Sequence, residues 1–127
     1  MKYLLDTHAF LWYFNGSDKL SEIAKNIFEN EDSHKYISIA SFWEFSVKYS
    51  MGKIGFEGGL TRLWELIAIK NFTILPITKP YLDGIIDLPF IHRDPFDRLL
   101  IAAAKTDNMT ILTADENFHK YNVPVVW

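Results

Sequence analysis

Short apolar runs of strand character alternate with helical stretches along the whole chain, and this alternation restricts the fold more than any other feature. Residues 2–5 read as a first strand, Thr7–Phe14 as a short helix, and Asn15-Gly16-Ser17-Asp18 as a turn. Ser21 is placed to cap a helix over Glu22–Asn30, where Ile23, Ile27 and Phe28 recur with helical period. Tyr36–Ile39 is a second strand, followed by a helix from Ser41 to Tyr49 that Gly52 and Gly55 end. Gly58-Gly59 precede a helix over Leu60–Lys70 with one apolar stripe, and Phe72–Ile77 reads as a strand. Lys79–Ile86 is a short helix stopped near Pro89. Asp94-Pro95 then opens a helix through Thr106 whose Leu99–Ala104 run is predicted to be buried. Met109–Thr113 and Val123–Val126 are the last strands, with a short helix near Glu116–Lys120 between them. Strands separated by helices need right-handed crossovers, which give a mostly parallel sheet covered on both faces.

A length of 127 residues suits a single α/β domain over residues 1–127. The absence of cysteine excludes disulfides and thiolate metal sites. A net charge of −3 argues against coating nucleic acid by bulk electrostatics, but leaves room for a local basic rim of Lys48, Lys53, Arg62, Arg93 and Arg98. Lys48 also follows Glu44 at the spacing of a helix ion pair. Asp6 ends the first apolar run too early for a signal peptide, and no window is long and apolar enough to span a membrane, so a cytoplasmic protein with no membrane partner is expected.

Asp6, Glu44, Asp97 and Asp115 each fall where a predicted strand has just ended or a helix begins. In an open parallel sheet such positions converge on one crevice. Each acid has a plain alternative. Ser41-Phe42-Trp43-Glu44 fits a capping box, Asp97 follows Asp94 in the same arrangement, and Asp6 and Asp115 could each cap the next helix. Caps, however, can be supplied by Ser, Thr or Asn without adding charge. Carboxylates brought together repel one another and raise one another's pKa values, a conflict that a hard divalent cation removes. Mg²⁺ or Mn²⁺ on such a site suits phosphodiester hydrolysis.

The histidines offer less. Asp6-Thr7-His8 matches the start of binuclear metallophosphoesterases, but the Gly-Asp and Gly-Asn-His segments that family needs do not occur. His8 reads as a residue of a first helical turn, and His34, His92 and His119 as surface or loop residues. Gly58-Gly59 lacks the Lys-Ser/Thr of a phosphate loop, and Ser41 lacks a Gly-x-Ser-x-Gly setting.

Four stretches, in order along nearly the whole chain, resemble PIN-domain ribonucleases, and more closely the toxin half of VapBC-type toxin–antitoxin pairs. They are Leu4-Leu5-Asp6-Thr7-His8-Ala9-Phe10-Leu11-Trp12, Ser38-Ile39-Ala40-Ser41-Phe42-Trp43-Glu44, His92-Arg93-Asp94-Pro95-Phe96-Asp97-Arg98-Leu99-Leu100-Ile101-Ala102 and Leu112-Thr113-Ala114-Asp115. The resemblance implies a three-layer α/β/α fold, a Mg²⁺- or Mn²⁺-dependent endoribonuclease acting on RNA, a cognate antitoxin that occludes the site, and a homodimer. It makes Asp6, Glu44, Asp97 and Asp115 the catalytic acids, with Asp6, Asp97 and Asp115 on the metal and the Thr7 hydroxyl nearby. In many relatives the third acid stands three residues before an Ile-Ala-Ala run, a place held here by Arg98; Asp97 is the favoured donor and Asp94 the second. Two rivals accompany this reading. One is a Mg²⁺-dependent phosphohydrolase of small esters, disfavoured by the lack of Asp-x-Asp after the first strand. The other is a non-catalytic module using aromatic surface from Trp12-Tyr13-Phe14 or Phe42, Trp43 and Phe45, in a chain that is 16% aromatic.

Overall fold

The computed structural model describes residues 1–127. Strands β1 (Lys2–Leu5), β2 (His34–Ser38), β3 (Thr73–Leu75), β4 (Thr110–Leu112) and β5 (Val125–Val126) form one sheet in the order β3-β2-β1-β4-β5. Every pairing is parallel. The chain therefore builds outward from β1 in one direction through β2 and β3, then returns to the other side of β1 for β4 and β5. The strand order reverses between β1 and β4, and the crevice beyond the carboxyl ends of those two strands is where such sheets bind ligands.

Six helices cover the sheet: α1 (Thr7–Asn15), α2 (Glu22–Glu29), α3 (Ile39–Ser50), α4 (Gly59–Ile69), α5 (Lys79–Asp87) and α6 (Pro95–Asp107). Successive strand residues face opposite sides, and the core divides accordingly. Leu4 and Ile111 join α5 and α6 in a cluster containing Tyr81, Leu88, the Leu99–Ala104 run, Phe118 and Tyr121. Leu5, Ile37 and Leu112 join α1, α2, α3 and α4 in a second cluster containing Phe10, Phe28, Phe42, Phe45, Leu63 and Ile67. This is the three-layer α/β/α arrangement expected. Half of the aromatic residues belong to the second cluster or pack against it; Tyr13 stacks on Phe28 and Phe42 packs on Trp64, each pair with ring centroids 4.3 Å apart. Trp43 stays 61% exposed, with its ring against Phe96.

Several boundaries differ from the predicted ones, for local reasons. Strand β2 starts at His34 and ends at Ser38, and α3 begins at Ile39 rather than Ser41 because Ser38 is the N-cap, its Oγ accepting from Ala40 N at 3.1 Å. The β-branched Ile39 therefore enters a helix despite its strand propensity. Strand β3 keeps only Thr73–Leu75 of the predicted Phe72–Ile77: Phe72 N bonds back to Ile67 O, and Asn71 sits at φ 57° in the turn after α4. Asn108 (φ 53°) ends α6 in the same left-handed conformation, its N–H returning to Ala104 O. The segment Glu116–Lys120 is a 3-10 turn, and β5 is confined to Val125–Val126.

Candidate active site

Asp6 is the first residue past β1. Its main-chain N–H still bonds to Leu112 O at 3.1 Å, so the sheet fixes its backbone, while its extended conformation makes it the N-cap of α1. Asp6 Oδ1 accepts from Thr7 N at 2.7 Å and Oδ2 from Thr113 Oγ1 at 2.8 Å. The carboxyl is buried, and that burial raises its pKa to about 6 against the lowering effect of the Thr113 hydrogen bond.

Two threonines link this acid to its neighbours. Thr113 donates to Asp6 and accepts from Asp115 N at 3.0 Å, tying the ends of β1 and β4 together. Thr7 Oγ1 donates to Glu44 Oε1 at 2.6 Å, and the other oxygen of Glu44 pairs with Lys48 Nζ at 2.7 Å. The capping-box reading of Glu44 is thereby corrected. With α3 starting at Ile39, Glu44 lies in the second turn, both its oxygens are engaged by side chains, and the i+4 pair with Lys48 forms as the spacing predicted. That hydrogen bond raises the pKa of Lys48.

Asp94 and Asp97 separate by function at the start of α6. Asp94 is the N-cap: its Oδ1 accepts from Phe96 N at 2.9 Å and Asp97 N at 3.2 Å. Asp97 does not complete a capping box; its Oδ2 instead meets His92 Nε2 at 3.2 Å. Burial raises the Asp97 pKa to about 8, reinforced by the negative charges of Asp6, Asp94, Asp115 and Glu44. Asp115, half-buried, caps the following 3-10 turn by accepting from Asn117 N at 2.9 Å. The acids scattered along the sequence thus lie near enough in space to act on one another.

Three residues here escaped the sequence reading or were read differently. Thr113 carries no sequence signal beyond a hydroxyl two residues before an acid at a strand end. His92 lies in the loop before α6, in keeping with the surface-or-loop expectation, but its side chain is only 14% exposed and turned onto Asp97. Arg98, a secondary site candidate and a member of the supposed basic rim, is buried, and its guanidinium donates to Pro89 O at 3.0 Å and to the Tyr121 hydroxyl at 3.2 Å. It offers no free cation to a ligand. Of the other rim residues, Lys53 and Arg93 are exposed, and Arg62 is exposed and paired with Glu65.

Beside Asp6 and Asp115 opens a cavity of about 220 Å³ whose walls include His8, Ala9 and Trp12. A larger groove of about 640 Å³ lies at the opposite edge of the sheet, around His34, Lys35 and Thr73, away from the acids. No three ligating side chains stand close enough to form a ready-made metal cage. The donors nonetheless suit a hard cation: they are all carboxylates, and Mg²⁺ is usually held by one or two of these with water completing its shell. Burial is the main cause of the raised pKa values of Asp6 and Asp97, with neighbouring carboxylates adding to it, and a bound cation would offset both by favouring the ionised forms.

Solved structures share this architecture over almost their whole length. A chain of VapBC2 from Rickettsia felis, bound to a DNA fragment from its promoter, superimposes with a TM-score of 0.77 at 17% identity, covering 100% of this chain and 99% of that one. A chain of VapBC-1 from nontypeable Haemophilus influenzae gives 0.73 at 13% identity, covering 99% and 97%. A chain of FitAcB from Neisseria gonorrhoeae gives 0.67 at 20% identity, covering 98% and 96%. No curated protein matches the sequence. The model of the PIN domain family matches residues 3–124, and with the parallel sheet and its acid-lined switch point this establishes that the chain belongs to the PIN domain family.

Proposed function

We propose that this PIN-domain protein is a Mg²⁺- or Mn²⁺-dependent endoribonuclease and the toxin of a toxin–antitoxin pair. The observation that carries the reading is geometric: Asp6 and Asp115 line one cavity at the switch point between β1 and β4, Thr7 next to Asp6 holds Glu44, and His92 holds Asp97 at the start of α6. Asp6, Asp97 and Asp115 are the residues that would hold the ion. A bound divalent cation supplies Lewis acidity toward a phosphoryl oxygen and lowers the pKa of coordinated water. The protein's own groups prepare the place. Asp6 is locked by Thr7 N and Thr113, and keeps unused lone pairs on both oxygens. Glu44 is held by Thr7 and Lys48, one on each oxygen, which fixes its orientation. Exposed Lys53 and Arg93 serve the RNA backbone.

A cognate antitoxin is the proposed protein partner, supported by the similar structures, which are of VapBC and FitAB assemblies. The exposed apolar residues Leu82 and Ile86 of α5, with Phe90 and Ile91 beyond it, offer a surface for a second copy. The proposed setting is the cytoplasm; no helix is long and apolar enough to cross a membrane. Induced alone in a bacterial host, the wild-type chain should arrest growth and deplete RNA, whereas Asp6→Asn should do neither. Undisturbed growth while the wild-type chain accumulates in folded form would contradict the toxin assignment.

A further inference from the structure

Three groups converge on the single hydroxyl oxygen of Tyr121. Arg98 Nη1 donates to it at 3.2 Å, the main-chain N–H of His92 donates at 3.3 Å, and His92 Nδ1 stands 2.7 Å away. A hydroxyl has two acceptor positions and one proton. The two N–H groups fill the acceptor positions, so the Tyr121 proton goes to Nδ1. The imidazole proton of neutral His92 then sits on Nε2, which is 3.2 Å from Asp97 Oδ2. The opposite tautomer would crowd three donors on the one Tyr121 oxygen. Which ring nitrogen carries the proton is fixed by what the other one meets.

We propose that Tyr121 and Arg98 are positioning residues that fix His92 as its Nε2–H tautomer, so that His92 anchors Asp97 Oδ2 and leaves Oδ1 for a cation. The anchor is stiff at its far end. Besides Tyr121, the Arg98 guanidinium meets Pro89 O at 3.0 Å and Ile85 O at 3.4 Å, and lies over the Phe90 ring at 5.0 Å. The chain of contacts thus joins the end of α5, the loop before α6, α6 itself and the residue that closes the 3-10 turn. The buried positive charge polarises the Tyr121 hydroxyl and makes it a better donor toward Nδ1. A chain serving only to fasten loops could end on any acceptor. This one ends on Asp97, one of the carboxyls proposed to hold the cation, and a hydrogen bond to an acid that binds metal fixes its orientation.

The cation in this inference rests on the proposed nuclease reading, whereas the tautomer does not, so the test reads them separately. ¹⁵N spectra of the metal-free, histidine-labelled protein, with the His92 signals assigned through His92→Gln, should show a pyrrole-type Nε2 and a pyridine-type Nδ1. Tyr121→Phe should convert these to exchange-averaged signals and weaken Mn²⁺ binding, measured calorimetrically, by about tenfold. His92→Gln, which keeps an N–H donor, should retain more affinity than His92→Phe. A wild-type Nδ1–H tautomer overturns the proposal, as does unchanged Mn²⁺ affinity in a folded Tyr121→Phe protein. If the wild type binds no Mn²⁺ although the tautomer is as expected, the cation reading and the positioning role fall together, and only the hydrogen-bond chain stands.

Discussion

The Thr7 hydroxyl donates to Glu44 Oε1 at 2.6 Å, joining residues 37 positions apart and locking the first turn of α1 to α3 inside the acid crevice. Thr7 is fully buried, so Thr7→Val removes the donor with little change of shape. Leaving a buried carboxylate short of one hydrogen bond should cost about 1–3 kcal/mol. Chemical denaturation should show that loss together with reduced RNA cleavage, and Thr7→Ser should recover most of both. Unchanged stability and activity in Thr7→Val would remove Thr7 from the site.

The two ion pairs at i,i+4 spacing should behave differently. Lys48 pairs with the buried Glu44 and is itself about one-third exposed, whereas Lys79 and Asp83 are both largely exposed. Lys48→Met should cost about 1–2 kcal/mol, below the full penalty for a buried pair because water reaches the ammonium. Lys79→Met should leave the denaturation midpoint where it is.

Asp94 and Asp97 should separate cleanly on mutation. Asp94→Ala removes a cap with two acceptor contacts and should cost about 1 kcal/mol, with cleavage reduced only modestly. Asp97→Asn removes charge from a crowded place while keeping an oxygen for His92. At pH 8.5 and without metal it should raise the melting temperature and abolish cleavage. Equal loss of activity in both variants would leave the third acid unassigned.

Stability should also depend on pH in a direction set by those acids. The folded-state pKa values of Asp97, about 8, and Asp6, about 6, lie above the ordinary 3.8, so the folded protein holds more protons than the unfolded chain between these limits. Their contribution is complete below about pH 4 and is lost as pH rises through 6 and then 8. The metal-free melting temperature should therefore receive a downward contribution from these groups over that window. Added Mg²⁺ should stabilise most at the alkaline end, where both carboxylates are ionised and ready to bind. A Mg²⁺ effect that is larger at pH 5 than at pH 8 would contradict this.

Much of this arrangement was legible in the chain because it depends on local signals. The strand runs, the Asp94-Pro95 helix start and the placement of the acids after strands can all be read within a few residues, and a parallel sheet does the rest. What stayed hidden depends on partners far along the chain. Glu44 looks like a capping residue until Ser38 is seen to cap α3 and Thr7 to claim the carboxylate. His92 is a loop residue, and its role on Asp97 stays hidden because Tyr121, which positions it, is 29 residues away. Arg98 looks like a basic ligand because no local pattern reveals a pocket of backbone carbonyls.

Cleavage of a single-stranded RNA by the purified chain, freed of any partner and titrated with Mg²⁺ or Mn²⁺, bears most directly on the proposed metal-dependent nuclease activity. The wild type should cleave within the strand only when a cation is present, lose activity in EDTA, and recover it on re-addition, while Asp6→Asn should stay inactive throughout. An intact substrate with the folded wild type and either cation, or an Asp6→Asn variant that cleaves at the wild-type rate, would contradict it.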